Sequence, residues 1–152
     1  MANWLCVTDW QNWKIIEKLL IYGVREAHVS RLRQIRIGDN IVMYCKPKLI
    51  AGIFKASSNM FEESTKLFDA GISNFESDEK FPFRINLAPN IVLSEPFDIQ
   101  YLAKQLKVLT RNNVLSWIIL RHTILPITED DFDTIINAIK DSRKTRSISK
   151  TS

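Results

Sequence analysis

The chain has 152 residues, of which 45% are apolar and 25% are charged, as is usual for one globular domain with a buried core. No apolar stretch approaches the roughly 20 residues of a membrane span. The N-terminus, "MANWLCVTDW", lacks the basic and apolar regions of a signal peptide. These features argue against a membrane partner and predict a cytoplasmic location.

The formal net charge of +4 comes from the tail after Asp141, which holds Arg143, Lys144, Arg146 and Lys150 and no acid. Without those four residues, basic and acidic residues number 17 each. The remaining charge is uneven, because residues 25–55 hold seven bases against two acids, and residues 61–79 hold six acids against one lysine. This asymmetry is compatible with an anionic partner on one side, and equally with solvated charge that binds nothing.

The first part of the chain predicts a strand followed by two helices. "NWLCVT" is an apolar run of strand-forming residues. Asp9 then occupies the position of an N-cap, and Gly23 breaks the helical pattern that follows it. The apolar face of this helix consists of Trp13, Ile16, Leu19 and Leu20. Residues 26–35 predict a second, shorter helix, whose apolar positions are Val29, Leu32 and Ile35.

A hairpin follows these helices. Gly38 and Asp39 predict a turn into the strand "NIVMYCK", which Pro47 interrupts. "LIAGIFKASS" is the predicted hairpin partner, and Gly52 within it indicates a bulge or a close approach of two backbones. Residues 59–79 are polar and acidic, and we expect a long ordered loop with a helical turn near "FEESTKLF".

The last part of the chain predicts one more long strand and two helices around an apolar run. "FPFRINLAPNIVL" alternates as a strand, and Asp98 caps the predicted helix "DIQYLAKQLKVL". "VLSWIILRHTILPI" is a core strand or a short helix. Thr128 caps the final helix. The buried stripe of that helix consists of Phe132, Ile135, Ile136 and Ile139.

These elements amount to about five or six short strands with helices between them and no β-α-β alternation. The pattern favours an α+β fold around a small curved sheet or barrel. We expect one domain over residues 1–141 and a basic, disordered tail over residues 142–152.

The sequence has no motif of a catalytic or cofactor site. Its four glycines are isolated, so there is no Gly-rich phosphate loop and no nucleophile elbow. Cys6 and Cys45 lie within predicted strands and are expected to be buried free thiols. The two histidines are far apart, so we predict neither a metal nor another cofactor.

The order of the segments resembles the EVE domain. "NWLCVTDWQNWKII" is similar to the opening of that family, and "IYGVREAHVSRLRQIRIGDNIVMYCKPKLIAGIFKAS" is similar to its centre. "FPFRINLAP" resembles the family's aromatic-arginine strand, and "LRHTILPITEDDFDTI" resembles its C-terminal segment. Two positions depart from the family's pattern: Tyr22 stands where tryptophan is usual, and His122 where glycine is usual.

The resemblance implies a PUA-like β-barrel of about five or six strands, related to the YTH domain and surrounded by helices. It implies a non-enzymatic module that binds a modified nucleobase, such as a methylated base of DNA or RNA, in an aromatic-lined pocket. Stacking on aromatic faces would hold the base, and basic side chains would hold the phosphates. The implied partner is therefore nucleic acid that carries a modified base, and no cofactor is implied.

The residues that the resemblance assigns to the ligand are Thr8, Trp10, Tyr22, Gly23, Val24, Arg25, His28 and Phe83. Those expected on the nucleic-acid backbone are Arg31, Arg33, Arg36, Lys46 and Lys48. Tyr22 is the expected partly exposed wall of the aromatic cage. An ordinary structural role is also open for each of them, such as a core position for Tyr22 or Phe83 and a solvated one for the arginines.

Two other functions remain open at this stage. A small PUA-like enzyme acting on modified nucleosides or RNA would need a reactive group beside the pocket, for which Thr8, Lys46 and Lys48 are the nearest candidates. A protein-interaction domain with a vestigial pocket would need none of them. The oligomeric state, the identity of the base, and the choice between DNA and RNA do not follow from the sequence.

Overall fold

The computed structural model describes residues 1–46, 49–63, 81–98 and 124–151. Within them, seven strands form one mixed sheet. The strands are β1 (Asn3–Thr8), β2 (Ile21–Val24), β3 (Asn40–Cys45), β4 (Leu49–Ala56), β5 (Phe61–Glu62), β6 (Phe83–Asp98) and β7 (Ile124–Ile127). The helices are α1 (Trp10–Leu19), a 3₁₀ turn (Glu26–His28), α2 (Val29–Gln34) and α3 (Glu129–Thr151).

The strand order is β2-β6-β4-β3-β1-β7, with β5 paired to β6. β1 runs parallel to β3, whereas β3 with β4, β4 with β6, β2 with β6 and β1 with β7 are antiparallel. The hydroxyl of Tyr22 on β2 lies 3.0 Å from the carbonyl oxygen of Val7 on β1, although three strands separate β2 from β1 in the sheet. The sheet therefore curls into a partial barrel, which confirms the predicted α+β architecture.

The curl of the sheet coincides with irregular pairing around Gly52. The register shifts between Met43 and Tyr44 on β3, and again between Ile50 and Gly52 where β4 meets β6. A Cβ atom at Gly52 would lie 3.1 Å from the carbonyl oxygen of Ile91. Such bulges bend a strand and increase its twist, so the predicted close backbone approach at Gly52 is confirmed.

Helix α1 begins as predicted and ends earlier. The Asp9 carboxylate accepts a hydrogen bond from the backbone N–H of Asn12 at 2.8 Å, which is N-cap geometry. Trp13 and Ile16 are buried, but Leu19 is 41% exposed, so the predicted apolar face is only partly correct. Leu20 ends the helix in the left-handed region with φ 56°.

Because the chain turns back at Leu20, residues that the sequence pattern assigned to a helix end form a strand instead. β2 (Ile21–Val24) was not predicted, and Gly23 lies inside it. Farther along the chain, Ile35 is buried as predicted but follows α2 with an extended backbone.

Two apolar clusters fill the interior. The first lies on the α1 side of the sheet and includes Trp13 and Phe54, whose rings meet edge to face at 5.9 Å. The second lies on the α3 side and includes Leu5, Val42 and Tyr44. Its α3 residues are Ile135 and Ile139, each 1% exposed, with Phe132 and Ile136 packed beside them. The predicted stripe of α3 is therefore confirmed, and the Thr128 hydroxyl caps the helix by accepting from the N–H of Asp131 at 3.1 Å.

The buried carboxylate of Asp39 ties the start of the chain to the turn before β3. Its two oxygens accept hydrogen bonds from the Ala2 N–H at 3.1 Å, the Trp4 indole N–H at 3.1 Å and the Arg36 N–H at 2.9 Å. Asp39 is 5% exposed, so these three donors replace water around the carboxylate. Gly38 supplies the left-handed backbone of this turn, with φ 91°.

Three predictions concern segments that fall partly or wholly outside the described residues. The predicted loop over residues 59–79 begins with the short strand β5, and the helical turn expected there lies mostly beyond the described part. Asp98 is the last residue of β6, and the helix that it was predicted to cap is outside the description. Of the apolar run that begins at residue 114, only β7 is described, and it is a strand.

Helix α3 continues to Thr151, whereas the sequence pattern predicts an irregular tail beyond Asp141. The domain boundary at residue 141 and the mobility of the tail remain predictions. Among the helices that the structure describes, none combines the length and the hydropathy needed to cross a bilayer.

We expect Asp39→Ala to lower the free energy of unfolding by about 3 to 5 kcal/mol, because three donors lose a charged acceptor and the buried Trp4 indole N–H loses this partner. Asp133→Ala is the matched control, since Asp133 is exposed on α3, and it should change stability by less than about 0.5 kcal/mol. Urea unfolding of the two variants and the parent measures the difference. Equal stability of all three would show that the Asp39 hydrogen bonds do not hold the turn.

Deleting residues 143–152 should leave the melting temperature nearly unchanged, because this basic segment has little apolar surface to bury. A second truncation that begins at Ile139 removes a side chain that is 1% exposed and should lower the melting temperature by several degrees. Thermal melts of both truncations provide the comparison. A large drop for the shorter deletion would place the tail within the folded domain.

Candidate functional site

The residues predicted on β2 are divided between the two faces of that strand. The register pairs Tyr22 with Ile85, Gly23 with Arg84 and Val24 with Phe83. Alternation along the strand sends Tyr22 and Val24 into the core, where each is 2% exposed. Gly23 lies on the opposite face. The structure thus brings Gly23, Val24 and Phe83 together at one strand pair, which we call the β2–β6 junction.

Tyr22 is a core residue in this structure. Its ring belongs to the cluster under α1, and its hydroxyl donates to the Val7 carbonyl at 3.0 Å. Burial raises the pKa of the phenol well above its usual value, and the nearby Cys6 thiol adds to that effect, while the Val7 hydrogen bond partly opposes it. The expectation of a partly exposed cage wall is wrong as regards exposure, because the ring fills the space between β2 and β1.

The exposed part of the β2–β6 junction is an arginine stacked on an aromatic ring. Arg25, directly after β2, is exposed and places its guanidinium 5.4 Å from the ring centroid of Phe81. Phe81 is half-buried and has a left-handed backbone with φ 47°. A non-glycine residue adopts that conformation only when its surroundings compensate the strain. Phe81 and Phe83 both pack against the core cluster under α1, so the junction presents aromatic surface beside a cation.

A buried arginine supports this strained segment. Arg84 has a fully buried side chain, its Nε–H donates to the Phe81 carbonyl at 3.1 Å, and its guanidinium lies 3.6 Å from the Glu63 carboxylate. Burial lowers the pKa of Arg84, and the Glu63 carboxylate opposes that shift. Glu63 is held in turn by its backbone N–H, which donates to the Pro82 carbonyl at 2.8 Å. Arg84 thereby fixes the backbone from which the Phe81 ring projects.

The sequence prediction omitted Phe81, Arg84 and Glu63 from the site. The segment "FPFR" contains two of them and carried part of the family resemblance, so a signal was present. That signal is weak, because arginine is rarely fully buried and because the pairing of Gly23 with Arg84 joins distant parts of the chain. The position of Glu63 follows from no local pattern.

Thr8 and Trp10 lie at the end of β1. Thr8 is 9% exposed; its hydroxyl donates weakly to the Asp9 carbonyl at 3.5 Å, and its own carbonyl accepts from the Lys46 N–H at 2.8 Å. Trp10 is the first residue of α1 and is 46% exposed. Thr8 and Tyr22 are brought near each other through Val7, the neighbour of Thr8 and the acceptor of the Tyr22 hydroxyl.

The predicted phosphate-binding residues differ in solvent exposure and in hydrogen bonding. Arg31 is half-buried, and its guanidinium donates to the Ile124 carbonyl of β7 at a long 3.5 Å. Arg33, Arg36 and Lys46 are exposed. Lys48 lies outside the described residues. His28 is half-buried at the end of the 3₁₀ turn, where its backbone N–H donates to the Arg25 carbonyl at 3.0 Å.

Both thiols are buried and free, as predicted. Burial raises the pKa of Cys6, and burial together with the charge of Asp9 raises the pKa of Cys45 from 9.0 to about 11. Thiols of this kind are poor nucleophiles and poor metal ligands at neutral pH. In the described part of the chain, no three histidine, cysteine or acidic side chains are placed to hold a metal ion.

Three proteins illustrate what this chain is similar to. A UPF0310 protein of Pyrococcus abyssi is 30% identical over 98 residues, an alignment that covers 59% of this chain and 66% of the relative. The YTH domain of Zygosaccharomyces rouxii MRB1, in complex with N6-methyladenosine RNA, superposes with a TM-score of 0.62 at 14% identity, covering 90% of this chain and 85% of that one. Human THYN1, in complex with DNA containing 5-methylcytosine, superposes with a TM-score of 0.62 at 16% identity, covering 91% and 97%.

These structural likenesses confirm the PUA-like fold. The family model for the EVE domain matches residues 2–138, which is most of the chain. The match includes β1, the β2–β6 junction and the first turns of α3. The chain therefore belongs to the EVE domain family.

Proposed function

We propose that this chain is a non-enzymatic module that binds nucleic acid carrying a modified base, such as a methylated base of DNA or RNA. The observation that carries the proposal is the likeness of the fold, over nine-tenths of the chain, to two structures that hold methylated nucleic acid. The base would lie against aromatic surface, and basic side chains would contact the phosphates.

The β2–β6 junction suits the recognition of a base. Arg25 stacked on Phe81 offers a cation and an aromatic edge that are both accessible to solvent. Gly23 adds no side chain on its face of β2, where the buried side chain of its β6 partner Arg84 also lies. Within the proposal, Gly23, Val24, Arg25, His28 and Phe83 stay candidate contacts, and Phe81 joins them. Tyr22 and Thr8 support the site from within.

The basic residues suit the backbone of the same ligand. Arg33 and Arg36 extend from α2 and the turn after it, and Lys46 directly follows β3. All three are exposed, so contact with phosphate would release bound counterions at little cost in desolvation. Arg31 is the weaker candidate, because its guanidinium also faces the Ile124 carbonyl.

The central test is a titration of the protein with oligonucleotides that differ only in methylation. We expect tighter binding of the methylated strand, and a slope of log affinity against log salt of about 2 to 4, because few phosphates are contacted. Arg33→Glu should weaken binding of methylated and unmethylated strands alike and reduce that slope by about 1. Lys140→Glu, at an exposed position of α3, is the control and should change neither.

Equal affinity for methylated and unmethylated strands would contradict recognition of a modified base. Affinity independent of salt would favour a free nucleoside as the ligand. Turnover of the bound base during the titration would support the alternative of an enzyme.

The two faces of β2 can be tested separately. Tyr22→Ala should lower the free energy of unfolding by about 3 to 5 kcal/mol, because it empties a buried site. Tyr22→Phe should cost about 1 to 2 kcal/mol, since it leaves the Val7 carbonyl without its donor. Arg25→Gln, on the exposed side, should leave stability unchanged and lower the affinity for the methylated strand. Urea unfolding and the titration above measure both effects.

Tyr22→Trp adds volume to a filled core and should also destabilise, by about 1 to 3 kcal/mol. A Tyr22→Trp variant with full stability and higher affinity would instead make residue 22 a wall of the pocket. Unchanged affinity in Arg25→Gln would remove the junction from the site.

A further inference from the structure

Helix α1 exposes a large aromatic side chain that the core does not use. The core-facing residues of α1 are Trp13 and Ile16, each less than 5% exposed. Trp10 lies on a different side of the helix and is 46% exposed. An exposed indole face is expensive in water and is typical of a surface that meets a partner.

Lysines lie along the helix from Trp10. The Lys14 ammonium is 6.0 Å from the centroid of the Trp10 ring, and Lys18 follows one turn later. Both lysines are exposed, as is Glu17 between them. We call Trp10, Lys14 and Lys18 the α1 stripe. The exposed Lys46 lies near the N-terminal end of this stripe, because its N–H bonds to the Thr8 carbonyl two residues before Trp10.

We propose that the α1 stripe binds the single-stranded nucleic acid that flanks the modified base, with Trp10 stacked on a base and Lys14 and Lys18 on phosphates. This inference rests on the proposed function, which supplies the chemistry of the partner. Aromatic rings beside cations bind single strands of any sequence, because every base has a π face and every nucleotide has a phosphate. The stripe would therefore add affinity without adding discrimination between bases.

The stripe differs from the β2–β6 junction in its expected selectivity. The junction would read the methylated base, and its contribution should appear with a short ligand. The stripe would contribute only when the strand is long enough to reach it. Glu17 lies between the two lysines and would repel phosphate, so its removal should strengthen binding of the longer ligand.

The test compares a trinucleotide with a single strand of about 15 nucleotides, near the upper end of the site sizes of single-strand-binding domains. Each carries one central modified base, 5-methylcytosine in DNA or N6-methyladenosine in RNA. Trp10→Ala should weaken binding of the longer strand by about five- to 150-fold, the effect of losing one stack. Its affinity for the trinucleotide should be unchanged, and Trp10→Phe should recover most of the loss.

Charge variants give a second, independent measurement. Lys14→Gln and Lys18→Gln should each lower the slope of log affinity against log salt by about 0.7 for the longer strand. Glu17→Gln should raise the affinity for that strand. Lys140→Gln, at an exposed position on α3, is the control for general loss of charge. Thermal melts should show all variants as folded as the parent, because none of these side chains is buried.

The outcomes separate this inference from the proposed function. Unchanged affinity of Trp10→Ala for the longer strand overturns the stripe, while a preference for methylated strands can still stand. An equal loss for trinucleotide and longer strand places Trp10 in the base pocket and also overturns the stripe. A parent protein that binds the longer strand without preferring the methylated one contradicts the proposed function and leaves the stripe standing. No binding of either ligand overturns both.

Discussion

The hydrogen bonds of the Asp39 carboxylate align the first strands of the barrel, and the positions of the other strands depend on that alignment. The carboxylate accepts from the backbone of Ala2 and Arg36 and from the indole of Trp4, so one charge fixes the start of β1 and the turn before β3. Those two strands are parallel neighbours, with Asn3 opposite Asn40. Parallel neighbours cannot be aligned by a tight turn, and the Asp39 hydrogen bonds supply the alignment at this end. The Asp39 carbonyl also accepts from Ala56, which joins β4 to the same point.

The candidate site depends on the position of β2 in this curled sheet. The sheet curls until β2 meets β1, and the Tyr22 hydroxyl on the Val7 carbonyl holds the two together. Turning Tyr22 inward forces Gly23 outward, because neighbouring residues of a strand face opposite sides. The Arg25–Phe81 stack lies just beyond the end of β2, and the buried Arg84 holds the strained Phe81 backbone. One strand of four residues therefore packs two side chains into the core and leads into the proposed ligand-binding surface at Arg25.

The parts of the fold that rest on local physics could be predicted from the sequence. The caps at Asp9 and Thr128, the turn at Gly38 and the hairpin of β3 and β4 depend on neighbouring residues, and all of them are confirmed. β2 could not be predicted in the same way, because a four-residue strand containing glycine has weak β-propensity and is defined by its distant partner β6. The left-handed helix end at Leu20 could not be predicted either, because leucine rarely adopts that backbone conformation. The burial of Tyr22 follows from the curl of the whole sheet, which no local pattern encodes.

The division of side chains between the core and the surface bears on how function can vary within a fold of this kind. Structures only 14% and 16% identical to this chain share its architecture over nine-tenths of its length, so the barrel tolerates nearly complete replacement of its residues. In this chain the inward side chain of Tyr22 ties β2 to β1 with its hydroxyl, which accounts for a core role of this ring. A ring committed to the core is not available to a ligand, and the aromatic surface has to come from elsewhere. Under the proposed function it would come from Phe81 and Phe83 at the β2–β6 junction and from Trp10 on α1. Selectivity in such a protein would then depend on the exposed side of β2, where substitutions leave the core intact.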